Sequence, residues 1–476
     1  MPKQFYHCKK KINFLMRKIH LFFLLVMSSI FLSAQDDEVD SDLIFDDFTY
    51  VDYIKSVKLH PPGLIISNPI IQLGSGALSL SFDDLKGESR EYIYSVIHCN
   101  ADWTPSELTP IEFMVGFNEE RIQNIEFSIR TLIDYTHYEV TIPNEDFQFS
   151  KSGNYLLKVY DNEDDKFLVL TKRFMVVEPS FSVRGEANRS SIVKKGQTHQ
   201  EIDFVILHKG IQINNPRKEV TVTVLQNGRW DNAIAGLEPQ YISGNELKYE
   251  FLDKISFLAG KEFRYFDLRS LRYRGNGVRG IEEYNDGYDV TLVPDEIRAY
   301  TLKYNQRDIN GGYVIGNMDN NNNGVNLTFS DEDSEETRDT KLALLARQNM
   351  ENGIANGIES DYANVLFSIK RNEPFYDKDV YIFGAVTDWQ IKDEFKMSYQ
   401  EAVRAYVADI TLKQGFYNYK YAVVPQEGAR VPDLSELEGD WYETENQYTV
   451  LAYFRPFGQR YDRLMVAYNI DSRRRR

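Results

Sequence analysis

The chain has 476 residues, 55 Lys or Arg against 72 Asp or Glu, a formal charge of −17 and only two cysteines. That length exceeds one ordinary core and points to about three domains. The acidic balance disfavours nucleic-acid binding, which needs a basic face, and gives solubility and self-repulsion instead.

At the N-terminus, Lys9-Lys10-Lys11 and Arg17-Lys18 precede an apolar run from Leu21 to Leu32 and then Ser33-Ala34-Gln35. This is the charged, apolar, small-residue order of a secretory signal, with cleavage expected after Ala34. The apolar run is too short for a spanning helix, and no other stretch reaches the roughly 20 apolar residues that a membrane span needs. Removal of residues 1–34 takes away six Lys or Arg and no acid, leaving 49 against 72, a net charge of −23. No cysteine follows the apolar run to carry a lipid, and Cys99 alone remains in the mature chain, so no internal disulfide is expected. An acidic leader is assigned to 35–47.

The first folded segment is read as 48–180. Strands are expected at Ile54–His60, Ile70–Leu73 and Leu78–Phe82, with Pro61-Pro62-Gly63 as a turn. Tyr92 to Cys99 is a β-branched and aromatic run ending in Asn100-Ala101-Asp102-Trp103, a strand with a decorated end. Tyr138, Val140 and Ile142 alternate with Glu139 and Thr141, the pattern of a half-buried strand that Pro143 stops. Ser152-Gly153-Asn154-Tyr155-Leu156-Leu157 has the spacing of a sandwich tyrosine corner.

The middle segment, 181–370, carries strand patterns at Glu201–Leu207, Glu219–Gln226, Leu247–Phe251, Phe263–Leu271 and Val365–Lys370. Asn227-Gly228 and Ser243-Gly244-Asn245 supply turns. Gly311–Asn352 is rich in Asn, Asp, Glu and Gly, with a short helical turn at Lys341–Ala346, and reads as long loops. The last segment, 371–476, contains Val380–Phe383, Tyr406–Leu412, Gly415–Tyr421 and a final strand, Arg463–Ile470. Its Gly415 and Tyr417 repeat the spacing of Gly153 and Tyr155. The expected fold is all-β, with about three tandem Ig-like or early-set β-sandwiches.

His98-Cys99-Asn100-Ala101-Asp102-Trp103, Tyr135-Thr136-His137-Tyr138, Ile142-Pro143-Asn144, Ser152 to Leu157 and Arg173 to Glu178 together resemble the first domain of the type IX secretion system plug protein family. The resemblance implies a periplasmic protein that closes the periplasmic mouth of a giant outer-membrane β-barrel translocon. Turn residues Asn100, Asp102, Trp103 and Thr104 are the candidate partner interface, with packing as the alternative role of Trp103. Segment 371–476 is similar to the sandwiches of starch- and glycogen-binding modules. Under that second reading, a periplasmic carbohydrate-binding accessory protein, Trp389, Tyr417, Lys420 and Trp441 form a sugar platform, although such aromatics more often fill cores.

No catalytic set is expected. Adjacent His98 and Cys99 point to opposite faces of a strand and cannot form a dyad, and only His137 is left to serve Cys99. His60, His98 and His137 lack metal-ligand spacing. Asp319 to Gly324 fits the first half of a calcium loop, but position twelve is Ser330 where an acid is needed. No metal or cofactor is assigned, and Arg473–Arg476 reads as a frayed basic tail.

Overall fold

The computed structural model describes residues 43–162, 167–301, 308–319 and 357–473, together with Thr337, Thr340, Lys341, Leu342 and Leu344. Thr340, Lys341, Leu342 and Leu344 are helical, where a short turn is expected. The signal segment, most of the acidic leader and Ser330 lie outside the described residues. Nearly all the regular structure described is strand, as the all-β expectation requires.

The first body uses β1 (Phe48–Thr49), β2 (Ile54–His60), β3 (Ile70–Gln72), β4 (Leu78–Asp84), β5 (Tyr92–Cys99), β6 (Met114–Gly116), β7 (Glu120–Arg121), β8 (Asn124–Phe127), β9 (Thr136–Ile142), β10 (Phe147–Phe149), β11 (Gly153–Asp161) and β12 (Phe167–Val177). One sheet runs β1-β12-β11-β5-β7, with β3 also on β12, and the facing sheet runs β2-β4-β9-β8. Strand β4 shows why they stack. Leu78, Leu80 and Phe82 enter the shared core with Tyr92, Tyr138, Tyr155 and Leu157, while Ser79, Ser81 and Asp83 take the other face, as period-two alternation dictates. The tyrosine corner is present: the Tyr155 hydroxyl donates to the Lys151 carbonyl at 2.8 Å.

In the second body, β13 (Ser182–Arg189), β14 (His199–Leu207), β15 (Val220–Gln226), β16 (Arg229–Leu237), β17 (Tyr241–Ser243), β18 (Glu246–Tyr249) and β19 (Ser256–Leu258) follow. One sheet is β13-β14-β18-β17 with β19 on β14. The other begins as the hairpin β15–β16, turned by Asn227 and Gly228 at φ of 54° and 70°. Both turn residues are left-handed, which is why the Asn-Gly pair marks such hairpins.

The third body follows before that sheet is finished. It contains β20 (Arg264–Asp267), β21 (Val278–Tyr284), β22 (Gly287–Leu292), β23 (Tyr313–Ile315), β24 (Tyr362–Lys370), β25 (Lys378–Phe383), β26 (Lys396–Gln400), β27 (Ala405–Lys413) and β28 (Gly415–Pro425). These join as β20-β28-β25-β26-β27-β24-β22-β21, with β23 on β28. The sheet folds over itself. Phe266 of β20 meets Phe367 of β24 edge to face at 5.4 Å, and Val380, Ile382, Tyr417 and Tyr419 share their core. Tyr417 repeats the corner device, donating to the Lys413 carbonyl at 2.5 Å.

The chain then returns. β29 (Gln447–Phe454) pairs with β15, and β30 (Arg463–Asp471) pairs with β29, completing the second body's sheet as β16-β15-β29-β30. The division at 370 and 371 is therefore corrected, because strands on both sides of it belong to one sheet and the last two belong to the body before it. The third body is an insertion between strands of the second. Its entry and exit touch where the Trp441 amide donates to the Gly260 carbonyl at 2.8 Å.

Candidate interaction site at the joints between the bodies

The turn after β5 is built from its own polar groups. Trp103 N–H donates to the Asn100 carbonyl at 3.0 Å, Asn100 N–H to the Thr104 carbonyl at 2.8 Å, and Asp102 Oδ1 accepts from the Thr104 amide and hydroxyl at 3.0 and 2.6 Å. Trp103 takes φ of 67°, which turns its ring back towards the body. There it is 6% exposed, edge to face with Trp230 of β16 at 5.0 Å, and the Arg173 guanidinium lies 4.5 Å from its centroid. Trp103 is a wedge between the first and second bodies, held by ring packing and a cation–π contact. Asn100 is engaged in the same joint: its Oδ1 accepts from Arg455 at 2.6 Å, and Asp462 takes the Ala101 amide at 2.9 Å. Of the four candidate interface residues, only Asp102 and Thr104 face solvent.

Further contacts continue this joint. The Tyr453 hydroxyl of β29 donates to Asn154 Oδ1 of β11 at 2.8 Å. Arg463 pairs with Glu178, and the Glu178 and Ser180 amides donate to the Leu464 and Met465 carbonyls at 2.9 Å each. The end of the first folded segment, 178–180, is therefore fastened to β30.

The first and third bodies meet through a buried ionic cluster that the sequence reading does not single out. Asp83 Oδ2 accepts from Lys413 Nζ and from the Tyr362 hydroxyl at 2.6 Å each, and Oδ1 meets His137 Nδ1 at 2.6 Å. Burial pushes the Asp83 carboxyl up, but Lys413 and His137 outweigh it and hold the group below the usual range. Lys413 also sits 4.0 Å over the Tyr135 ring. The Tyr135 hydroxyl donates to the Gly357 and Ser360 carbonyls at 2.8 Å. A charge pair so enclosed tolerates loss of neither partner.

Reactive side chains are placed apart. Cys99 is buried in β5, its thiol pushed up to about 12 by burial. His98 is pressed down to about 4 by burial and lies between the Ser106 hydroxyl at 2.9 Å and the Ser152 carbonyl at 3.1 Å. A Cβ on Gly153 would lie 2.6 Å from its Nε2, so this position has room only for glycine. His137 lies on the other sheet, bound to Asp83, and does not serve Cys99. Among the described residues no group of three His, Cys, Asp or Glu is placed to hold a metal. Asp319 is tied to Leu271 N–H and Gln414 Nε2 at 2.8 and 3.1 Å.

The four residues of the expected sugar platform do not form one surface. Tyr417 is stacked between Phe266 and Tyr313 in the third core. Lys420 is buried with its Nζ 3.9 Å over Phe263. Trp389 packs edge to face on Phe263 and Phe383 and beneath Arg229 of the second body, while Trp441 belongs to the hinge at Gly260. A stacking platform needs open aromatic faces, and those of Tyr417 are covered by Phe266 and Tyr313 while Arg229 lies over the Trp389 ring.

A crystal structure titled as a hypothetical protein from Parabacteroides merdae ATCC 43184 matches with 32% identity and a TM-score of 0.79, covering 90% of this chain and all of that one. The family described as "Type 9 secretion system plug protein 1st domain" matches residues 54–178. Residues 54–178 are therefore similar to the first domain of type 9 secretion system plug proteins. No curated protein matches it. The matched plug domain covers β2 to β12 of the first body and carries both sets of joint residues, Trp103 and Asn154 towards the second body, Asp83 and His137 towards the third. Asp83 escapes the sequence reading because the strand is ended at Phe82, yet it occupies the next outward position of β4. An ionisable residue on the polar face of a strand gives no signal of what will cover it.

Proposed function

We propose that this protein is a non-enzymatic periplasmic plug that occludes the periplasmic mouth of the outer-membrane translocon barrel of the type 9 secretion system. The match of residues 54–178 to the plug family's first domain carries this reading. The packing of the bodies supports it in physical terms. A plug acts by occupying a fixed volume, and here rigidity comes from Trp103 wedged on Trp230, Asp83 clamped by Lys413, and a third body whose entry and exit segments are hydrogen-bonded at Gly260 and Trp441. No helix among the described residues is long and apolar enough to cross a membrane, so association runs through a protein surface in this proposal. Asp102 and Thr104 remain outward-facing contact candidates.

The test is deletion of the gene in cells that keep the barrel. The outer membrane should then admit small dyes that wild-type cells exclude, and the tagged protein should co-purify with one very large barrel from gently solubilised membranes. Unchanged permeability together with no barrel in the purification refutes the proposal.

A further inference from the structure

A cavity of about 460 Å³ opens between the first body and the third. Its floor is the outward face of β2, β4, β9 and β8, where period-two alternation and the strand register set Ser81 beside Glu139 and Glu126 beside His137. Its wall is apolar, with Ile65 from the β2–β3 loop and Val314 and Ile315 from β23. Two groups on the floor lack a counterpart. Glu139 Oε1 accepts from the Ser79 hydroxyl at 2.7 Å and Oε2 from Asn124 Nδ2 at 3.4 Å, and no Lys or Arg lies at ion-pair distance from it among the described residues. His137 is 5% exposed and sets its Nδ1 against Asp83, yet its Nε2 has no hydrogen-bond partner among the described residues. With the proton on Nδ1, directed at a carboxylate, Nε2 of the neutral ring is an acceptor. A buried acceptor without a donor is costly, and a ligand bearing N–H groups removes that cost. The charges of the lining agree: Asp83 and Lys413 neutralise each other, leaving Glu126 and Glu139 against Lys58, whose ammonium is turned to the Tyr313 carbonyl and ring.

We propose that this cavity binds a cation carried on an aliphatic chain, an alkylammonium or alkylguanidinium like the side chains of lysine and arginine. Such groups pack an apolar stem on apolar surface and present a head that only donates. Ile65, Val314 and Ile315 receive the stem, and Glu139 and His137 Nε2 receive the head. His137 and Glu139 are two positions apart on β9, roughly 7 Å along the strand, so one head reaches both side chains. An anion would meet the two glutamates, and a hydrocarbon would leave the His137 acceptor without a donor. The bound cation touches both bodies beside the Asp83 clamp.

The purified full chain is titrated with butylguanidinium, butylammonium, 1-butanol and butyrate, and binding is read by saturation-transfer NMR. The two cations should bind, and the neutral and anionic analogues should be weaker by about tenfold or more, the worth of one hydrogen bond to a charged group. Glu139→Gln should weaken the cations by about the same factor, whereas Glu401→Gln, at an exposed acid outside the cavity, should leave them unchanged. Location is read on the unmodified protein, where amide exchange in β8 and β9 should slow with butylguanidinium and not with butyrate. A capped tripeptide with lysine between two glycines separates the sources of the cation: binding about tenfold tighter than butylammonium assigns the site to a partner's basic side chain, and equal or weaker binding assigns it to a free amine. Cations that bind no better than 1-butanol, that leave β8 and β9 exchange unaltered, or that lose as much affinity with Glu401→Gln as with Glu139→Gln overturn the proposal.

Discussion

His98 illustrates how a residue that looks reactive in sequence becomes structural when enclosed. With the Nε2 proton donated to the Ser152 carbonyl and Nδ1 accepting from Ser106, the neutral ring is fully satisfied, and Tyr155 and Tyr461 flank it edge to face at 4.8 and 5.4 Å. Burial lowers its folded-state value to about 4, against an ordinary value near 6.5 for the unfolded chain. Between those values the unfolded state binds a proton that the folded state refuses. The His98 contribution to stability is thus fully present above pH 6.5 and is lost as pH falls through 4, on the order of 3 kcal/mol. The depressed Asp83 carboxyl also weakens the fold in acid, but only below the usual aspartate range. Urea midpoints at pH 7, 5.5 and 4 separate the two: wild type should lose more stability across this window than His98→Gln, and the difference is the His98 share, because the shifted His60, His199, Glu262 and Asp308 are common to both proteins. Equal slopes for the two proteins would rule the assignment out.

At the scale of elements, the sequence is informative wherever one strand's pattern suffices. Ile54–His60 is found as expected, and Glu201–Leu207 and Val365–Lys370 fall within slightly longer strands. The Asn227-Gly228 hairpin and both tyrosine devices follow from residues a few positions apart. Strands with little apolar alternation are missed: β13 and β21 are mostly exposed edges that depend on a neighbour for their hydrogen bonds. Pairing at long range is illegible for a different reason. Nothing in Gln447–Phe454 specifies Val220–Gln226 as its partner rather than a strand of its own segment, because one buried apolar strand complements many. The insertion yields a concrete expectation. A chain in which Gly260 is joined to Trp441 by a short Gly/Ser linker should retain the second core, with protected amides in β15 and β29 by hydrogen exchange. A chain ending at 370 should lose them, since it lacks β29 and β30. If the 1–370 fragment protects β15 as well as the excised chain does, the topology is wrong.

For the molecule as a whole, the matter is whether three bodies behave as one. The Asp83 cluster is the place to test this, because its members are contributed by β4 and β9 on one side and β24 and β27 on the other. Asp83→Asn keeps the shape but leaves the Lys413 ammonium enclosed without its counter-charge, a loss of about 3–5 kcal/mol. Little of that loss falls on the first core itself, since Asp83 projects away from Leu80 and Phe82. The wild-type protein should melt in one calorimetric transition. The variant should show two, the first and third bodies having lost their coupling while each keeps its own apolar interior. Under the proposed plug function, the same variant should raise dye entry without abolishing co-purification with the barrel, because in that proposal occlusion depends on the bodies holding one shape and binding on surface that the substitution does not reach. A variant that melts in one step and seals as well as wild type would mean that the clamp between the first and third bodies is dispensable to both.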